Sequence, residues 1–267
     1  MIYHGNLSKM KVDHEDPVLY TLNMEEKNVV MNDLIGNRVS IRFTGVIHCV
    51  ACGKVTKKAF GQGFCYSCFM SSPLNSECII RPELCEAHVG KGRDPEWEEE
   101  HHNQPHIVYL ALTSGVKVGV TRVDQVPVRW IDQGAWKAVQ LARTPYRQIA
   151  GNIEVSLKNF LTDKTPWQKM LKNEVDASVD LAEVKKIIIK KMDPSFGEYI
   201  LHEKNDIFEF KYPVLQYPAK VKSLSPEKNP SIDAILTGIR GQYLMFNYSD
   251  VLNIRSNSGY EIELNVN

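Results

Sequence analysis

Ile107-Val108-Tyr109-Leu110-Ala111-Leu112, then Thr113-Ser114-Gly115, then Val116-Lys117-Val118-Gly119-Val120: the reading of this stretch decides the fold around it. An apolar run, a turn and a second run rich in β-branched residues make a β-hairpin. Pro127 opens a short helix through Arg129, Trp130 and Ile131, and Gly134 ends it. Ala138 to Leu141 supply a third strand. Pro145 starts a longer helix over residues 146–161, in which Ile149, Ile153, Leu157 and Phe160 recur at helical spacing.

Upstream, Val39, Ile41 and Phe43 alternate with Ser40, Arg42 and Thr44, the period-two pattern of a half-buried strand. Residues 1–48 read as a β-rich region, and residues 49–105, with many Gly and Pro, as a segment shaped by loops and metal. Residues 106–172 hold the hairpin and its helices. Residues 173–267 open with a helix from Ser178 or Asp180 to Met192, stopped by Pro194. Short strands follow at 199–202, 207–212, 219–224, 234–239, 243–246, 251–254 and 260–264, a spacing that predicts a small β-barrel or sandwich. The fold class expected is α+β.

All six cysteines fall between Cys49 and Cys85. Disulfides usually tie distant parts of a fold together, whereas a metal gathers its ligands locally. Cys49-Val50-Ala51-Cys52 and Cys65-Tyr66-Ser67-Cys68 can each place two thiolates on one ion, and four thiolates fill a tetrahedral shell. A structural zinc is the expectation, with reduced buried cysteines or an iron–sulfur cluster as alternatives. Cys78, Cys85 and His88, with His101 or His102 as a fourth ligand, form a looser second constellation. Two buried cysteines beside surface histidines would account for it equally well. The neighbouring Glu98, Glu99 and Glu100 read as a solvated helix face.

The hairpin, with Ile107-Val108-Tyr109 on one strand and Lys117-Val118-Gly119 on the other, followed by Arg129-Trp130 and by Glu154 on a later helix, resembles the core of GIY-YIG endonucleases. The resemblance covers residues 106–172 and implies a small sheet flanked by helices. It also implies phosphodiester hydrolysis, with Tyr109 assisting a water, Arg129 binding phosphate and Glu154 holding Mg2+ or Mn2+. Lys117 stands where that family has a second tyrosine, and Ile107 where it has glycine. Arg122, Arg143 and Arg147 become candidates for nucleic-acid binding. The combined zinc and hairpin arrangement, with the stretch Gly238-Ile239-Arg240-Gly241-Gln242-Tyr243, also resembles a bacterial zinc-ribbon protein family, which implies an architecture rather than an activity.

Composition narrows the partners. Apolar residues are 43% of the 267 and charged residues 24%, which excludes wholesale disorder. Lys plus Arg is 32 and Asp plus Glu is 32, so no global field draws nucleic acid or an acidic membrane, and any such role needs a local patch. Between Gly115 and Phe160 seven basic residues face three acids, an excess a phosphate-binding face requires. No apolar run approaches the roughly 20 residues that span a bilayer. Met1 to Tyr20 has no secretory core, so a cytoplasmic protein is expected. Three functions stay open: a divalent-metal-dependent nuclease acting on DNA or RNA, a nucleic-acid-binding protein with a decayed site, and a zinc-stabilised scaffold presenting its C-terminal β-region to a protein partner.

Overall fold

Among the described residues, 1–25, 27–162 and 164–266, the computed structural model is a mixed α+β fold with several sheets and no closed barrel. On the N-terminal side stand β1 (Ile2–Asn6), β2 (Lys11–Asp13), β3 (Leu19–Asn23), β4 (Asn28–Val30) and β5 (Arg38–Ile47). Helices α1 (Tyr66–Ser71) and α2 (Pro95–His102) follow, separated by short 3-10 turns. The centre comprises β6 (His106–Leu112), β7 (Val116–Arg122), α3 (Val128–Asp132), β8 (Lys137–Thr144) and α4 (Arg147–Leu157). Beyond it come α5 (Trp167–Leu171), α6 (Leu181–Ile189) and β9 (Phe208–Glu209). The remaining strands are β10 (Lys222–Leu224), β11 (Ser231–Arg240), β12 (Tyr243–Phe246), β13 (Asp250–Asn253) and β14 (Tyr260–Val266).

The chain forms two compact units. The first comprises Met1–Met70, Leu171–Asn173 and Phe210–Asn267. Its large sheet runs β1-β14-β5-β11-β12-β13-β10, and β2-β3-β4 form a small second sheet. The expected C-terminal barrel or sandwich takes the form of an open sheet shared with N-terminal strands. The reason lies in β5. Its alternation buries Val39 and Ile41, and Ile41 stands between Ile232 of β11 and Leu264 of β14, all three buried. The intervening Arg38 and Arg42 pair with Asp233 and Glu263 on those same two neighbours. Gly238 to Tyr243 serves this unit's interior. Arg240 is buried, donates to Asn173 Oδ1 at 2.7 Å, and lies over the rings of Tyr212 and Tyr217. Gln242 both accepts from and donates to the Met10 backbone.

The second unit comprises Ser71–Met170 and Glu174–Glu209. Its antiparallel sheet runs β7-β6-β8-β9, with the hairpin turn where the sequence predicts it. Every residue of β6 is buried. Val108, Leu110 and Leu112 join Val118, Val139 and Leu141 in a core closed by Ala150, Ile153 and Leu157 of α4 and by Leu181 and Ile188 of α6. Helix α4 stops at Leu157 rather than 161, and Phe160, expected on its apolar stripe, is largely exposed. Residues 199–202 form no strand. A 3-10 turn at Pro194–Tyr199, started by the Asp193 side chain, leaves only a single bridge between Ile200 and Ala142. No helix of the described residues is long and apolar enough to cross a membrane.

Candidate functional site

Three clusters carry chemistry, one in the first unit and two in the second. In the first, the amide of Cys49 donates to Lys54 O at 2.9 Å and that of Gly53 to Cys49 O at 2.8 Å, curling the chain so that Cys49 and Cys52 face the same way. Cys65 and Cys68 sit at the start of α1, where the amide of Phe69 donates to Cys65 O. The four Sγ atoms gather with separations near 3.6–3.9 Å, and none is in a disulfide. Zinc–sulfur bonds of about 2.3 Å give tetrahedral edges of about 3.8 Å, so this group can hold zinc. Burial works to raise the Cys49 thiol, but amides of Cys65, Cys52 and Ala51 outweigh it and leave it at about 6. Between residues 50 and 70 the only large apolar side chain that is buried is Phe64, so little else organises the segment.

The second cluster surrounds Tyr109. Its hydroxyl donates to Gln133 Oε1 at 2.9 Å, and Trp130 of α3 meets its ring edge-on at 5.7 Å. Tyr109 faces Gly119 across the hairpin, and a Cβ on Gly119 would lie 2.6 Å from the phenol oxygen. The close approach that glycine permits is therefore made by Tyr109 itself. Gly119→Ala is expected to destabilise the protein by about 1–3 kcal/mol, the usual cost of overpacking, read from denaturant unfolding.

Burial pushes the Tyr109 phenol up. The positive charge of Arg129 works against that, and the Glu154 carboxylate adds to it. Tyr109, Arg129 and Glu154 thus share one electrostatic neighbourhood, although 45 positions separate the first from the last. Lys117 is buried and donates to Thr165 Oγ1 at 3.3 Å. Arg122 is half-buried beside Asp124, 3.3 Å away, and Arg143 is exposed on β8. Arg147 is committed elsewhere: its guanidinium donates to Cys78 O at 3.0 and 2.9 Å and to Ile79 O at 3.2 Å.

The third cluster contains Cys78 and Cys85, joined by Glu98 and His102 rather than by His88 and His101. His88 lies flat on Tyr146, with ring centroids 4.4 Å apart. His101 turns its Nδ1 to Trp97 O at 2.8 Å and stacks on the Trp97 ring. Glu98, expected on a solvated face, is 2% exposed. A signal for this grouping exists: Glu98 and His102 are four apart and share one face of α2. Nothing in the sequence marks Gln133 as the partner of Tyr109.

Fold and clusters together define an α+β protein with a four-cysteine group able to hold zinc. The chain belongs to the DUF2797 family, described as a protein of unknown function, whose profile matches residues 36–262, from the turn before β5 into β14. Comparison with curated proteins and with solved structures finds no match.

Proposed function

We propose that this protein is a zinc-stabilised, divalent-cation-dependent hydrolase of nucleic-acid phosphodiesters. The observation that carries the reading is the buried Tyr109, packed against Gly119, with Arg129 and Glu154 near enough for their charges to act on its phenol. Hydrolysing a phosphodiester needs an oriented water, relief of charge on phosphate oxygens and help for the leaving oxygen. Tyr109 orients the water, Arg129 neutralises the phosphate, and Glu154 is the residue that would hold Mg2+ or Mn2+. Such a cation lowers the pKa of a bound water and polarises the phosphoryl group. Arg143 and Arg122 extend the basic surface along the bound strand. Zinc on Cys49, Cys52, Cys65 and Cys68 is structural, since four thiolates leave no open position.

A second reading draws on one observation: Tyr109 is wholly buried, with its hydroxyl engaged by Gln133. That closure favours a protein that binds nucleic acid and no longer cleaves it. Purified protein assayed on single-stranded, duplex and branched DNA and RNA, with Mg2+ or Mn2+, separates the two. Cleavage that Arg129→Ala weakens supports the hydrolase. Salt-sensitive binding without cleavage under either cation supports the second reading. Neither binding nor cleavage overturns both and leaves a protein-interaction scaffold.

A further inference from the structure

We propose that Cys78, Cys85, Glu98 and His102 form a second zinc site, closed and structural, in the unit that carries the hairpin. The inference stands apart from any catalytic role. The four ligand atoms lie within 4.8 Å of one another, and the four residues are 5%, 1%, 2% and 3% exposed. Cys78 Sγ is 3.6 Å from His102 Nδ1 and 3.8 Å from Glu98 Oε2, and those two atoms are themselves 3.6 Å apart.

These separations argue for an ion at the centre. A carboxylate and an imidazole in direct hydrogen bond would close to about 2.7–3.2 Å. With zinc–sulfur bonds of about 2.3 Å and zinc–nitrogen or zinc–oxygen bonds of about 2.0–2.2 Å, the edges of the tetrahedron come to about 3.3–3.8 Å. A buried carboxylate lacking direct charge compensation is costly, and a divalent ion removes that cost.

The surroundings are those of a metal site. Glu98 Oε1 accepts from Ser76 Oγ at 2.7 Å and from the Arg93 amide at 3.0 Å, which leaves Oε2 turned inward. Such outer partners fix a ligating carboxylate in orientation. Helix α2, capped by the Asp94 side chain, delivers Glu98 and His102 from successive turns, and Trp97 packs edge-on against the His102 ring. Two thiolates and a carboxylate exceed the charge of one zinc ion by one, and Arg147, bound to the carbonyls of Cys78 and Ile79, stands by to offset it. Residues 73–89 are a succession of 3-10 turns whose buried cluster is Cys78, Cys85 and Ala87. So small a cluster cannot order that segment by burial. A mixed sulfur, nitrogen and oxygen donor set of four suits zinc.

The site would also steady the neighbouring helix. A Cβ on Gly151 of α4 would lie 2.2 Å from the Glu83 amide, so the cysteine loop lies against α4 one turn beyond Arg147. Arg147 is accordingly a positioning residue that ties the metal loop to the helix bearing Glu154.

Zinc analysis of the purified chain, with X-ray absorption at the zinc edge, tests the proposal. The expected result is two ions per chain, with an average shell of three sulfurs and one lighter atom. The double variant Cys78→Ser, Cys85→Ser should keep one ion in an all-sulfur shell. Cys65→Ser with Cys68→Ser should keep one ion in a shell of two sulfurs and two lighter atoms. A single ion in an all-sulfur shell in the unaltered protein overturns the proposal, and that measurement needs no variant to fold. So do two ions retained by the Cys78, Cys85 double variant.

Discussion

Cys65→Ser is expected to abolish zinc binding at the four-cysteine cluster and to unfold the segment between β5 and α1. The scale follows from what remains without the ion. Zinc held by small cysteine peptides contributes about 10–16 kcal/mol of apparent binding energy at neutral pH. Burial of Phe64 offers about 1.5–3 kcal/mol in its place. Lys54, Lys57 and Lys58 are exposed on that segment, so trypsin reads its order directly. Intact protein should resist cleavage there. The variant, and the intact protein stripped by a strong chelator, should be cut within it. Resistance that survives the loss of zinc would mean that the metal does not organise the segment.

Glu154→Gln is expected to lower phosphodiester cleavage by on the order of 10²-fold or more while the fold survives, the scale seen when a group stabilising a transition state is removed. The substitution keeps the shape of a side chain that is 8% exposed and removes its charge. It also removes the carboxylate that reinforces the high pKa of Tyr109, so the phenol should titrate at lower pH in the variant. Ultraviolet titration of the tyrosines reads that shift whether or not the protein cleaves anything. Cleavage that persists in Glu154→Gln would mean that another residue holds the cation, or that a contaminant was assayed.

Local periodicity made the second unit's hairpin, its third strand and helix α4 legible, because each owes its form to neighbours close in sequence. The first unit's sheet was not legible in the same way. Nothing near Arg38 to Ile47 says that its partners are Ser231 to Arg240 and Tyr260 to Val266, since strand pairing at that separation is written in matching alternation and charge rather than in a motif. Cysteine spacing picked out the four-thiolate group. It left the neighbours of Cys78 and Cys85 open between His101 and His102 and passed over Glu98, because the residues gathered there come from a helix. There His101 stands one position, about 100° of helical rotation, away from the face that His102 occupies. Tyr109, Arg129 and Glu154 are proposed through a resemblance, whereas Gln133 as the partner of Tyr109 needed coordinates.

β5 has a consequence for synthesis. A chain emerging from the ribosome makes this strand nearly 200 residues before the first residues of β11 that flank it, and β14 arrives later still. Until then both edges of β5 are open, the condition that invites pairing with another nascent chain. Arg38 and Arg42 stand on the strand as gatekeepers during that wait, because like charges resist the in-register stacking of identical strands. Once Asp233 and Glu263 arrive, the same two charges become a key for correct closure, so guard duty and register selection fall to one pair of arginines.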